Sequence, residues 1–126
     1  MTRKPLQGSL VLIVLLVAAG AFGAQSYPTI PYKDAADHID EIVWVEGTIL
    51  KTETAAEGVY LVFNANEKYV RLLIPKANVA TFEGSIQHKY TGKKVKAVGK
   101  IAKYGYKLIL GVNEPKRIKI LEDEAT

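Results

Sequence analysis

Aromatic and cationic side chains fall together at two places in this sequence, with the chemistry to hold a strand of bases and phosphates. The first set is Tyr60, Lys68, Tyr69 and Arg71; the second is Lys103, Tyr104, Tyr106 and Lys107. Tyrosine rings stack on the flat faces of bases, while lysine and arginine track the phosphates between them. Tyrosine is also a good strand former, so both sets equally suit ordinary β-strands. Trp44, the single tryptophan, either offers another stacking platform or covers a neighbouring helix or strand edge. A different chemistry is hinted at around His38, which lies among Asp34, Asp37, Asp40 and Glu41. Asp34 and His38 have the i, i+4 spacing with which two side chains of an α-helix share a divalent ion. Acidic residues at the start of a short helix have a simpler role, complementing its positive end, and no metal is expected.

Catalysis would need a nucleophile with its base, paired carboxylates or a metal cage. The chain has 126 residues, no cysteine and two histidines. His88 has no acidic neighbour, and the serines and threonines near strands have no histidine close in sequence. The glycines fall singly instead of forming a loop that cradles phosphate. The sequence therefore reads as non-enzymatic and without a cofactor.

The order of elements decides whether the two tyrosine-rich sets can meet. Tyr27-Pro-Thr-Ile-Pro31 is an extended lead-in, because each proline pushes the residue before it out of helical space. Lys33 to Asp40 suits a short helix with Ala35, Ala36 and Ile39 on its buried side. From Ile42 the period becomes two: Val43, Val45, Gly47 and Ile49 alternate with Trp44, Glu46, Thr48 and Leu50, a half-buried first strand. Thr52 to Gly58 reads as a polar loop. Val59–Asn64 and Lys68–Ile74 read as strands two and three around a tight turn at 65–67. Val79, Phe82 and Ile86 fit a short helix that Gly84 interrupts or ends. In strand four Val95, Ala97, Gly99 and Ile101 face inward, with Lys94, Lys96 and Lys100 on the other side. Tyr104-Gly-Tyr106 turns the chain into strand five, Lys107–Val112, and Arg117–Leu121 is a last extended piece.

This order predicts an all-β fold: a five-stranded Greek-key OB-fold barrel with a short helix between strands three and four. Gly47 and Gly99 would permit the sharp bends that closing a small barrel needs. The expected core includes Val43, Val45, Ile49, Leu61, Phe63, Leu72, Ile74, Val79, Phe82, Val95, Ala97, Ile101, Leu108 and Leu110. In such a barrel the binding groove crosses strands two and three, between the loops joining strands one to two and four to five. Tyr60, Tyr69 and Arg71 then fall on the groove strands, with Tyr104–Lys107 in the second loop. Lys94 and Lys96 point away from it.

Ahead of the barrel, residues 1–24 read as a signal peptide. Arg3 and Lys4 form a basic start, Leu10 to Val17 an apolar run, and Ala18 to Ala24 a stretch of mostly small residues. The run is well short of the ~20 residues a spanning helix needs, so cleavage and export, to the periplasm or outside the cell, are expected, with no stable membrane insertion afterwards. The organisation is then 1–24 signal peptide, 25–41 lead-in and short helix, 42–121 barrel and 122–126 acidic tail. Without Arg3 and Lys4 the chain has 15 basic and 13 acidic residues, a weak excess. Its distribution is uneven: between His88 and Lys119 ten lysines and arginines stand against the single acid Glu114, and between Tyr27 and Gln87 five stand against nine. Such segregation either builds one electropositive face or is the solvated side of two amphipathic strands.

Four motifs carry a family resemblance. They are Ala35-Ala-x-His38-Ile39, Val43-x-Val45-Glu46-Gly47-x-Ile49, Tyr90-Thr-Gly92-Lys93-x-Val95-x-x-x-Gly99-Lys100-Ile101 and Pro115-x-x-Ile118. Together they resemble the OB-fold nucleic-acid-binding domains related to anticodon-binding OB domains, most of all their small exported, nuclease-associated relatives. The sequence departs from that pattern where Asp40 follows Ile39 in place of glycine, and in a shorter turn after strand four. The resemblance implies single-stranded DNA or RNA, or another oligomeric anion, as partner. The alternative is an adaptor whose tyrosines bind a protein or an oligosaccharide, since OB folds host unrelated functions.

Overall fold

The computed structural model describes residues 26–121. The expected signal peptide at 1–24, the first residue of the lead-in and the expected acidic tail at 122–126 lie outside the described residues. Among those described, the strands are β1 (Thr29–Pro31), β2 (Ile42–Thr48), β3 (Lys51–Ala55), β4 (Gly58–Val62), β5 (Arg71–Pro75), β6 (Lys94–Tyr104), β7 (Lys107–Gly111) and β8 (Ile118–Ile120). One short α-helix, α1 (Ile86–Tyr90), and 3₁₀ helices over Tyr32–His38, Lys76–Thr81 and Pro115–Arg117 complete the fold.

The strands make one mixed, eight-stranded sheet in the order β1-β2-β6-β7-β5-β4-β3, with β8 paired to β6. The path is compatible with an OB-like arrangement, but it corrects the expectation of five strands in a closed barrel. The ladder is not closed, and β2 and β3, consecutive in the chain, lie far apart along it. The reason is a change of partner at one bend. Ile49 N–H donates to the Lys93 carbonyl at 3.0 Å, and Leu50 N–H donates to the Val62 carbonyl at 2.7 Å. A strand that turns such a corner leaves one set of neighbours for another, so the expected first strand becomes β2 and β3. The expected polar loop at 52–58 is mostly β3, registered on β4 from Lys51↔Val62 to Ala55↔Gly58. β3 ends the sheet path, and polar and charged residues are what keep an edge strand from pairing with another molecule.

Two other local expectations change for identifiable reasons. The turn between the second and third expected strands is longer than three residues, running from Phe63 to Val70. There Asn64 Oδ1 accepts from Asn66 N–H at 2.9 Å and Asn66 Oδ1 from Lys68 N–H at 3.0 Å. Asparagine side chains that bond the backbone two residues on replace ladder bonds with turns. The helix at 33–40 is 3₁₀, Tyr32–His38. With three residues per turn, Ala35 is buried and Ala36 is exposed, while Ile39 packs partly against the core.

The expected core is otherwise as the alternation reads it. Val45, Ile49, Leu61, Leu72, Ile101 and Leu110 are fully buried, and Val79 is only half-buried. The two strand glycines serve close approach. A Cβ on Gly47 would lie 2.7 Å from Tyr32 Cδ2 and 2.8 Å from Phe63 Cδ1; one on Gly99 would lie 2.9 Å from Leu110 Cδ2. Tyr32 uses that space to stack on Phe63, ring centroids 4.9 Å apart. Asp40, which stands where the resembled family has glycine, has φ 70°. That left-handed conformation is the one glycine adopts freely and aspartate tolerates. Its N–H donates to the Ile101 carbonyl at 2.7 Å, so the position keeps the backbone geometry while losing the residue.

Candidate functional site

β4, β5, β7 and the second half of β6 lie side by side, so their outward side chains share one surface. The register sets Tyr60 opposite Leu73, Arg71 opposite Ile109, Ile109 opposite Ala102 and Tyr104 opposite Lys107. A groove of 820 Å³ runs over this surface. Leu73, Ala102 and Ile109 give it an apolar floor, with Tyr60 and Tyr104 coming from the strands at its two sides. Lys100, Lys107 and Arg117 bring positive charge and Glu57 negative charge. A smaller recess adjoins it, sharing Tyr60, Lys107 and Ile109 and adding Tyr69, Arg71 and Glu67.

The fold thus brings Tyr60, Tyr69, Arg71, Tyr104 and Lys107 together from both tyrosine-rich sets. Lys68 sits in a neighbouring hollow with Tyr32 and Tyr69, its Nζ 5.1 Å from the Tyr69 ring centroid. Lys103 and Tyr106 line neither the groove nor the recess. Lys103 is on the file of β6 opposite Leu108, and Tyr106 lies on the turn beyond the last pair, Tyr104↔Lys107. Three groove residues escaped the sequence reading. Lys100 was legible as outward-facing but was grouped with Lys94 and Lys96; it lines the groove because β6 is long enough to serve two surfaces. Glu57 and Arg117 carried no local signal, since their place depends on which strands become neighbours.

The electrostatics of the site are dominated by pairing within it. Tyr60 Oη donates to Glu57 Oε2 at 2.5 Å. Burial, followed by this bond and the carboxylate's charge, pushes the Tyr60 phenol up to about 12. The same bond holds the Glu57 carboxyl below the usual carboxylate range. Arg71 Nη1 donates to Glu53 Oε1 at 3.2 Å, with Lys51 Nζ 3.0 Å from Glu53 Oε2. The Lys51 hydrogen bond, helped by the Arg71 charge, lowers the Glu53 carboxyl in turn. Arg71 is largely buried, and its Nε is buried without a hydrogen bond. The cations and phenol best placed to meet a ligand are therefore held in position by carboxylates, an arrangement that fixes rotamers at the expense of net positive charge.

Elsewhere, His38 Nδ1 lies 2.8 Å from Glu41 Oε1, and 3₁₀ geometry takes Asp34 and His38 off the common face an α-helix would give them. Among the described residues no group of three or more His, Cys, Asp or Glu side chains is arranged to hold a metal ion. Trp44 projects from β2 on the outer face, opposite Val98. Lys96 Nζ lies 4.5 Å and Lys119 Nζ 5.2 Å from its ring centroid.

No protein-family model and no curated protein matches the chain. Solved structures do. A protein assigned as an aspartyl-tRNA synthetase from Leishmania major Friedlin aligns over 86% of this chain and 25% of its own, with a TM-score of 0.50 and 14% identity. An asparaginyl-tRNA synthetase from Entamoeba histolytica aligns over 77% of this chain and 24% of its own, with a TM-score of 0.49 and 14% identity. The chain spans about a quarter of the length of each. At this identity the likeness is one of fold, and it agrees with the OB-like strand order.

Proposed function

We propose that this chain is an exported, non-enzymatic binding module that holds single-stranded nucleic acid in the groove across β4, β5, β7 and β6. The observation that carries the reading is the groove's composition: an apolar floor flanked by Tyr60 and Tyr104, with Lys100, Lys107 and Arg117 around it. Bases stack on aromatic faces while cations meet the phosphates, a combination that binds single strands with little sequence preference. The fold likeness to a protein named for tRNA and the resemblance to anticodon-binding OB domains support the same partner class. Export rests on the basic, apolar and small-residue order of residues 1–24 alone.

One observation favours a second reading. Glu57 and Glu53 stand beside the groove cations, and Tyr104 and Tyr106 are 63% and 68% exposed at the hairpin tip. Mixed charge with projecting tyrosines also suits a protein partner or an oligosaccharide. Titration of the full chain with single-stranded DNA, single-stranded RNA and an acidic polysaccharide at two salt concentrations separates the two. Saturable binding of the single strands that is lost in Tyr104→Ala supports the proposal. Equal binding of all three polyanions, or of none, overturns it.

A further inference from the structure

The outward file of β6 does not stop at the groove. Its even-numbered side chains run from Lys94 through Lys96, Val98, Lys100 and Ala102 to Tyr104, since alternate residues of a strand share a face. Lys100, Ala102 and Tyr104 line the groove. Four residues back along the strand, about 13 Å at most, Lys96 stands directly opposite Lys119 of β8. Trp44, paired with Val98, occupies the space between Lys96 and Lys100 on the neighbouring strand and receives both Lys96 and Lys119 over its ring.

Two ammonium groups directly across a strand pair repel each other. The nearest carboxylate, Glu46, is engaged by Lys94 at 3.1 Å, and among the described residues neither Lys96 nor Lys119 has an ion-pair partner. The negative face of the indole offsets only part of that repulsion. The pair is thus a preformed anion site, in line with the groove and separated from it by the Trp44–Val98 step. Resting on the nucleic-acid reading above, we propose that this file is a second contact. A single strand longer than the groove continues along β6 and lays a phosphate between Lys96 and Lys119, beside Trp44.

The single tryptophan makes the contact directly observable. The full chain would be titrated with oligothymidylates of about 4 and about 12 nucleotides, within the site sizes of OB folds. Both should bind, but only the longer should change the Trp44 fluorescence. The Lys96→Gln/Lys119→Gln double variant should lose about tenfold affinity for the longer strand at low salt, and its salt slope should fall by about 1.4, or ~0.7 for each lost phosphate contact. Its affinity for the shorter strand should be unchanged, which also shows that the variant is folded.

If the short strand binds but the double variant holds the long one as the native chain does, the second contact is overturned while the groove reading stands. If the double variant weakens both lengths equally, the lysines act only through the general field of the protein, and the second contact is again overturned. If neither length binds, the groove reading fails and the second contact fails with it.

Discussion

The groove and the Trp44 face are built on the same strand, β6, yet they handle charge in opposite ways. At the groove, Arg71 faces Glu53 and Tyr60 faces Glu57, so charge is balanced and the side chains are held. At the Trp44 face, Lys96 and Lys119 face each other with no carboxylate between them. Balanced charge near aromatic side chains favours short-range recognition by shape and stacking. Unbalanced charge favours attraction that weakens as salt rises. The two regions should therefore respond to different perturbations, and each experiment below tests whether they do.

The largest effect is expected at the aromatic edge of the groove. Tyr104→Ala should weaken single-strand binding by about one to two orders of magnitude, following the ~1–3 kcal/mol that a stacked base contributes. The fold should be unaffected, because Tyr104 is 63% exposed. Tyr106→Ala, outside the groove, is the matched control and should change affinity little. Fluorescence anisotropy with a labelled oligonucleotide measures both. Equal losses in the two variants would dissolve the distinction between groove and turn.

Next come the cations. Lys107→Gln should lower the salt slope of binding by about 0.7, the value for one phosphate contact on a single strand. Arg71→Gln should lower it by less, because Arg71 is already spent on Glu53. A larger slope change for Arg71 than for Lys107 would mean that the Glu53 pair opens on binding, and that the groove is less compensated than it looks.

A smaller effect tests the Tyr60–Glu57 pair. In the native chain the Tyr60 phenol ionises near pH 12, and an unfolded tyrosine does so near pH 10. The folded value is the higher one. The pair's contribution to stability is therefore complete below pH 10 and is lost as the pH rises toward 12. Glu57→Gln should bring the phenol down, though not to the unfolded value, because burial is the larger cause of the shift. Phenolate absorbance during an alkaline titration follows the change. Removing the carboxylate should also strengthen binding a few-fold, about the size of one exposed charge interaction. Unchanged titration in the variant would show that the phenol and carboxylate are not coupled.

The smallest effect is expected where the two regions meet. Asp40 N–H bonds the Ile101 carbonyl, and Ile101 N–H bonds the Glu41 carbonyl at 3.1 Å. Asp40→Gly should stabilise the fold by only about 0.5 kcal/mol, because relief of the left-handed strain is mostly offset by the added freedom of glycine in the unfolded chain. Thermal melting checks the sign. A clear loss of stability would mean that the Asp40 side chain has a role of its own.

Much of this molecule is determined by sequence alone because period-two alternation is a local property. Val43, Val45, Ala97 and Ile101 identify their own inward faces, and the same counting sends Trp44 and Lys96 outward without reference to any other strand. The glycine-shaped backbone at Asp40 was likewise legible as a departure from a resembled pattern. What tertiary structure decided is which strands became neighbours. The corner at Ile49–Leu50 depends on Lys93 and Val62, far away in sequence, and it turned one expected strand into two. β3 escaped notice because an edge strand does not need the apolar alternation that marks a buried one. Glu57 and Arg117 entered the groove, and Lys103 and Tyr106 stayed out of it, for the same reason. Alternation sets the face a side chain takes; the surface it reaches depends on hydrogen-bond partners that only the folded chain supplies.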